Sequence, residues 1–188
     1  VVASDKFQGQ IGANLVKNDL GCKSVYILDD KELYGKGVAD VFEAAAGDIG
    51  LEVKGHEGWD KSSPNYQALM SKIKASGADS VITGNWGSDL TLLIKAANDA
   101  GLNVKFYTYY AVVTGTPTAL GENAVGRVYS IGIFDHYAGG EQRKLMDEYK
   151  KKFNDDWYTG QTYHVLAMLS NGIAKAKSTD PKQVAMAL

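Results

Sequence analysis

Four times along this chain a helix-like stretch ends in glycine, and an apolar run begins one to three residues later. The four segments are NDLGCKSVYILDD, GDIGLEVKGHE, KASGADSVITGN and NDAGLNVKFYTYY. This recurrence limits the fold more than any other feature. Gly21, Gly50, Gly77 and Gly101 stand where a helix must stop in a left-handed turn, which glycine tolerates best. The apolar runs behind them are short and bounded by turn residues, so they read as strands.

The segments between carry helical spacing. Val38, Val41, Phe42, Ala45 and Ile49 share one face of a helix over Tyr34 to Ile49. Tyr66, Leu69, Met70 and Ile73 do so over Asn65 to Ala75, with Pro64 at the helix start. Leu90, Leu93, Ile94 and Ala97 do so over Asp89 to Ala100, and Gln10 to Leu20 gives a weaker pattern ahead of the first strand. The predicted order is α-β-α-β-α-β-α-β, a loop, and a last strand in GRVYSIGIF. Such alternation predicts an α/β fold, a doubly wound parallel sheet with helices on both faces. Sheets of this kind take ligands outside the carboxyl ends of their strands, at the switch point of strand order.

After Asp135 the pattern changes, and Gly140 to Leu188 reads as helices alone. EQRKLMDEYKKKF places Leu145, Met146, Tyr149 and Phe153 on one face, and TYHVLAMLSNGIAKAK is apolar over much of its surface. TDPKQVAMAL opens a third helix with Asp180 as N-cap and Pro181 in the first turn. Three helices without a strand do not continue a β/α lobe; they need a partner surface.

The strand ends collect aromatic and polar residues. Asp29, Asp30, Lys31 and Tyr34 follow the first strand, and His56 and Trp59 the second. Asn85, Trp86 and Ser88 follow the third, and Tyr109 and Tyr110 the fourth. In a parallel sheet all of these lie on one rim. Any single aromatic there is explained as well by packing on its own loop. Four aromatic-bearing strand ends together point to a site that covers a small organic ligand. Within GNWGSDL the expectation is that Trp86 supplies contact area, Gly84 and Gly87 let the backbone turn, and Ser88 or Asp89 caps the helix.

Other chemistries lack their residues. Asp29-Asp30 resembles the metal pair of a receiver domain, but Thr83, Gly84 and Asn85 stand where its phosphate-accepting aspartate belongs, so the pair reads as a turn and cap. Tyr34 to Gly37 lacks the glycine spacing and the Lys-Ser/Thr ending of a phosphate loop, and there is no G-x-S-x-G nucleophile motif. His56, His136 and His164 are far apart in sequence, with no carboxylate at ligand spacing, so no metal is expected. No catalytic set and no cofactor are expected. The single cysteine, Cys22, excludes an internal disulfide and reads as a small buried residue. A net charge of -2 gives no electrostatic ground for nucleic-acid binding. The chain opens on VVASDKFQGQ and stops in the helical pattern PKQVAMAL, which suggests a processed product or a fragment.

VYILDDKELYGKGVADVFEAAAGDIGLEV, followed by WDKSSPNYQALMSKIKASGADSVITGNWGSDLTLLIKAANDAGLNVKFYTYYA, resembles the type I periplasmic solute-binding proteins. It is most similar to the branched-chain amino acid-type receptors of ABC importers, over essentially the whole chain. Tyr-Gly-x-Gly after the first strand, the Pro/Asp-rich loop before SKIKASGADSVI, and Gly-x-Trp before the next helix recur in order. The resemblance implies two flavodoxin-like lobes joined by crossover strands, with the ligand closed between them. Val1 to about Ser130 would be the second lobe. Ile131 to Leu188 would return to the first, whose remainder is absent.

The resemblance also implies Tyr34 and Trp86 as solute contacts, with Tyr109, Tyr110 and Asn85 completing the candidate set. Where amino-acid receptors hold the ligand ammonium with an acidic residue, this chain has Tyr110. A phenol, with an ordinary pKa of about 10, carries no charge near neutral pH. The expected solute is therefore a carboxylate, amide or aromatic acid, not an α-amino acid. Implied partners are a small-molecule solute and the membrane permease of an importer. A homodimer, or a chain carrying the missing lobe, is expected through residues 140–188. The implied location is the periplasm, or the outer surface of a Gram-positive cell through a lipid anchor.

Overall fold

The computed structural model of the chain describes residues 4–29, 33–58, 65–109, 115–132, 137, 139–154 and 160–188, without the side chains of Leu33, Tyr34 and Gln161. These residues fall into two compact units, one within Ala3–Gly132 and one within Ile133–Leu188.

The larger unit alternates helix and strand. Helix α1 (Asp5–Asn14), capped by Ser4 through Phe7 N–H, runs on into a π-helical turn over Leu15–Asp19. Then come β1 (Ser24–Asp29), α2 (Leu33–Ile49), β2 (Glu52–Gly58), α3 (Tyr66–Ser76), β3 (Ser80–Thr83), α4 (Gly87–Asp99) and β4 (Lys105–Thr108). A short helix α5 (Thr116–Leu120) and a 3₁₀ turn over Gly121–Ala124 precede β5 (Val128–Tyr129). The sheet is parallel throughout, in the order β2-β1-β3-β4-β5. This is the doubly wound α/β arrangement, with its switch point between β1 and β3.

Both faces of the central strands are buried, so their side chains divide by period two. Tyr26, Leu28, Val81 and Phe106 pack with Leu69, Met70 and Ile73 of α3 and with Leu90, Leu93, Ile94 and Ala97 of α4. Val25, Ile27, Ile82 and Tyr107 pack on the other face with Ala13, Val16, Ala39, Phe42, Ala45 and Ala46 of the α1 and α2 region. Gly9 and Gly12 allow that second layer to close. A Cβ at Gly9 would lie 2.8 Å from Phe42 N, and one at Gly12 would lie 2.6 Å from Tyr107 Cε1.

The amino-terminal edge of the sheet is tied by polar contacts. Asp79 accepts from Lys23 N–H at 2.8 Å, Ser24 N–H at 2.9 Å and Ser24 Oγ at 3.2 Å. Ser80 Oγ donates to Ser24 O at 2.6 Å. Lys105 Nζ donates to Leu20 O at 2.5 Å, and Lys17 Nζ donates to Ile49 O at the end of α2. Each ammonium meets carbonyls that a helix end leaves open.

The four predicted glycine stops are all left-handed, with φ between 61° and 70°. Several boundaries differ from expectation. The first helix starts at Asp5, because Ser4 caps it ahead of the apolar spacing. The loop expected before the last strand contains α5, which opens after Gly115 with Pro117 in its first turn. Among the described residues the last strand is paired only at Val128 and Tyr129.

The smaller unit, as predicted for the tail, is helical among its described residues. It comprises α6 (Gly140–Phe153), α7 (Gln161–Ala176) and α8 (Pro181–Ala187). Asp180 caps α8, accepting from Lys182 N–H at 3.2 Å and Gln183 N–H at 3.0 Å. Gly172 of α7 lies under Leu188 and Val184. Tyr163, Val165, Leu166, Met168 and Leu169 of α7 are exposed.

Candidate functional site

The carboxyl ends of the strands define the rim: Asp29 of β1, Gly58 of β2, and Thr83 and Thr108, which pair in register on β3 and β4. Beyond Thr83 the backbone runs through Gly84, Asn85 and Trp86 into α4. Asn85 is buried, whereas Trp86 beside it is 57% exposed. An indole left half in water at the mouth of a parallel sheet is a ready contact surface. Trp86 itself is the N-cap of α4, in extended conformation, and makes no side-chain cap bond. The expected cap at Ser88 or Asp89 is therefore not found, because the helix already begins at Gly87. Only Gly87 of the two flanking glycines is left-handed, at φ 57°.

Asn85 is held from three directions. Its N–H donates to Thr83 Oγ1 at 3.2 Å, Thr83 Oγ1 donates to its Oδ1, and Thr108 Oγ1 donates to its backbone O at 2.9 Å. Its Nδ2 is buried with no partner among the described residues. Turning the carboxamide over would satisfy Nδ2 at Thr83 and orphan the oxygen instead. One polar atom of Asn85 stays unused either way, and buried polar atoms ordinarily find a partner.

Tyr109 follows β4 and stands edge-on to Tyr107, with ring centroids 5.2 Å apart. Tyr107 in turn stacks on Phe42 at 6.5 Å. Tyr109 thus leans on the core layer of α1 and α2 as well as on the rim. The Tyr34 side chain and all of Tyr110 lie outside the described residues, as do Asp30, Lys31 and Trp59. Of the candidate set, Asn85, Trp86 and Tyr109 are placed at the ends of β3 and β4.

His56 and Asp29 correct their expectations. His56 lies within β2, and its Nε2 meets Asp29 Oδ2 at 2.9 Å while its Nδ1 meets Glu43 Oε2 at 2.6 Å. Asp29 is thus the last residue of β1 and a buried partner of an imidazole, not a turn and cap. Carboxylates distant in sequence reach His56 because β2 pairs alongside β1 and α2 covers both. The i,i+4 bond to Asp40 raises the Lys36 pKa, with the charges of Asp29 and Glu43 adding. Burial pushes the Tyr66 phenol up, and the Asp89 carboxylate adds to that. No group of three His, Cys, Asp or Glu side chains among the described residues is placed to hold a metal ion.

A sequence model described as periplasmic binding protein matches residues 3–188. The chain belongs to the periplasmic binding protein family. Among curated relatives it is 27% identical over 189 residues to the leucine-, isoleucine-, valine-, threonine- and alanine-binding protein of Pseudomonas aeruginosa. That match takes in 100% of this chain and 51% of the relative. The crystal structure of a protein of the same name from Brucella ovis, in closed conformation, superposes with a TM-score of 0.81 at 25% identity, over 98% of this chain and 49% of that one. A solute-binding protein of an R. palustris ABC transporter, in complex with 4-hydroxybenzoate, shares the fold with a TM-score of 0.77 at 22% identity, over 97% of this chain and 52% of that one. The chain therefore spans about half the length of the periplasmic binding proteins it matches. No helix among the described residues is long and apolar enough to cross a membrane.

Proposed function

We propose that this chain forms one wall of an extracytoplasmic receptor that captures a small organic solute for the permease of an ABC importer. The carrying observation is the Asn85-Trp86 step: a locked, buried amide beside a half-exposed indole at the carboxyl-end mouth of the sheet. Val1 to about Ser130 is the solute-binding lobe in this reading, and Ile131 to Leu188 returns to the other lobe. Trp86 covers the apolar body of the solute, with Tyr34, Tyr109 and Tyr110 around it. The unused polar atom of Asn85 supports its assignment to the solute's polar end.

The solute is a carboxylate, an amide or an aromatic acid. Tyr110 stands in the family position of the acidic residue, and a neutral phenol gives an ammonium no counter-charge. The fold by itself does not choose, because relatives and neighbours are named for amino acids and for 4-hydroxybenzoate alike. A thermal-shift panel of leucine, valine, benzoate, 4-hydroxybenzoate, acetamide and urea tests the assignment. A ligand at a hundredfold excess over its Kd stabilises the folded state by about 2.7 kcal/mol. A shift with a carboxylate or amide and none with leucine or valine is the expected result. A shift with leucine overturns the Tyr110 argument and keeps the receptor.

A second reading rests on α7. Its exposed Leu166, Met168 and Leu169 leave apolar side chains in water within one helix, and contiguous apolar exposure marks interaction sites. In that reading the chain binds no solute alone and self-associates through residues 140–188. Light scattering decides: a monomer that binds no apolar dye removes it, and a dimer with a silent solute panel favours it.

A further inference from the structure

Trp86 is 57% exposed, yet it directly follows one of the most constrained residues of the sheet. Thr83, Asn85 and Thr108 are each at most 1% exposed. Thr83 and Thr108 are register partners on neighbouring strands, and both hydroxyls bond Asn85 at the sheet end. The Thr83 hydroxyl serves Asn85 twice, accepting its N–H and donating to its Oδ1. The Thr108 hydroxyl donates across the strand gap to Asn85 O at 2.9 Å. That oxygen belongs to the peptide group that carries Trp86 N–H. The peptide plane on the amino side of Trp86 is therefore fixed by a side chain 23 residues further on. A peptide is planar, so fixing its carbonyl also fixes its N–H, leaving Trp86 only its own φ and ψ. With no side-chain cap bond, its indole is free of the helix start that its backbone opens.

We propose that Thr108, with Thr83, is a positioning residue for Trp86: the Thr108 hydroxyl locks the Asn85-Trp86 peptide, the Thr83 hydroxyl holds Asn85 by its N–H and side chain, and together they aim the indole outward at the rim. The proposal rests on the reading of Trp86 as solute wall for its purpose, but not for its test. Valine has nearly the same shape as threonine and lacks the hydroxyl, so Thr108→Val removes the lock and leaves the packing volume. Serine restores the donor.

The test uses the full 188-residue chain with Trp59→Phe and Trp157→Phe, so that Trp86 is its sole tryptophan. Emission maximum and acrylamide quenching are compared among this parent, Thr108→Val and Thr108→Ser. The expected result is a smaller quenching slope and a blue-shifted maximum in Thr108→Val, as the released indole folds onto apolar rim atoms, with recovery in Thr108→Ser. An unchanged slope in a folded Thr108→Val variant overturns the proposal. So does a change that serine fails to reverse, since methyl packing then explains it. Should Thr108→Val not fold, Thr83→Val is read in the same way. Hydrogen exchange on the unsubstituted chain is a further check on the Thr83 hold: the Asn85 N–H should be protected like the strand interior, and exchange at the speed of an open loop refutes Thr83's part in the proposal. None of these outcomes depends on a solute, so a silent solute panel leaves them intact.

Discussion

Helical glycines in this chain divide into two kinds, and alanine should tell them apart. At Gly47, in the last turns of α2, an added methyl meets nothing within 4 Å. Replacing a helical glycine by alanine removes backbone entropy from the unfolded chain and favours the helix by about 1 kcal/mol. Gly47→Ala should therefore stabilise by roughly that amount. At Gly12 of α1 the same methyl would lie 2.6 Å from Tyr107 Cε1 and 3.1 Å from Cζ. Carbon atoms settle about 3.5–4.0 Å apart, so the ring or the helix must give by nearly 1 Å. The ring has little room, since Tyr107 is 1% exposed, with Phe42 on its face and Tyr109 at 5.2 Å. Overpacking of this kind costs about 1–3 kcal/mol, which outweighs the helix gain over most of that range. The two variants share the helix gain and should therefore differ by the overpacking cost, about 1–3 kcal/mol, or roughly 2–12 °C in Tm for a chain of this size. Urea unfolding followed by circular dichroism measures it. If Gly12→Ala gains stability alongside Gly47→Ala, the close approach of α1 to Tyr107 is wrong.

Burial raises the Tyr26 phenol, and its bond to Glu57 raises it further. A group raised in the folded state gives its full stability below its ordinary value, here about 10, and loses it as pH climbs through the raised value. Urea midpoints should thus hold steady near pH 8–9 and fall beyond about pH 10, and Tyr26→Phe should flatten that fall. Asp79 holds the start of β1 through three donors, so Asp79→Ala should cost about 2–3 kcal/mol. Asp79→Asn, keeping one acceptor oxygen, should cost less in the same unfolding assay.

The layers of the fold were legible because burial writes itself into spacing. Leu90, Leu93, Ile94 and Ala97 are all at most 1% exposed, as their helical period required. Glycine stops were equally legible, since a left-handed backbone singles out one residue type. The candidate site was legible in part as a place in the fold. Strand ends predicted where Asn85, Trp86 and Tyr109 would gather, but not that two threonines would lock Asn85. Thr83 and Thr108 look like ordinary strand residues until pairing puts them in register. The Asp29-His56-Glu43 cluster was hidden for the same reason, as its members meet only through β1–β2 pairing and the cover of α2. The N-cap of α4 was missed because residue chemistry favours Ser88, while the backbone turns two residues earlier.

The strand order also describes a way of being made. β1 comes first along the chain and accepts β2 on one side and β3 on the other, after which β4 and β5 extend the β3 side. Each strand thus joins an open margin of the growing sheet, and none has to wedge between two strands already paired. A chain leaving the ribosome can assemble this sheet in the order of its codons. Until β4 emerges, β3 offers bare peptide groups, and that interval is when the nascent chain most needs protection from its neighbours.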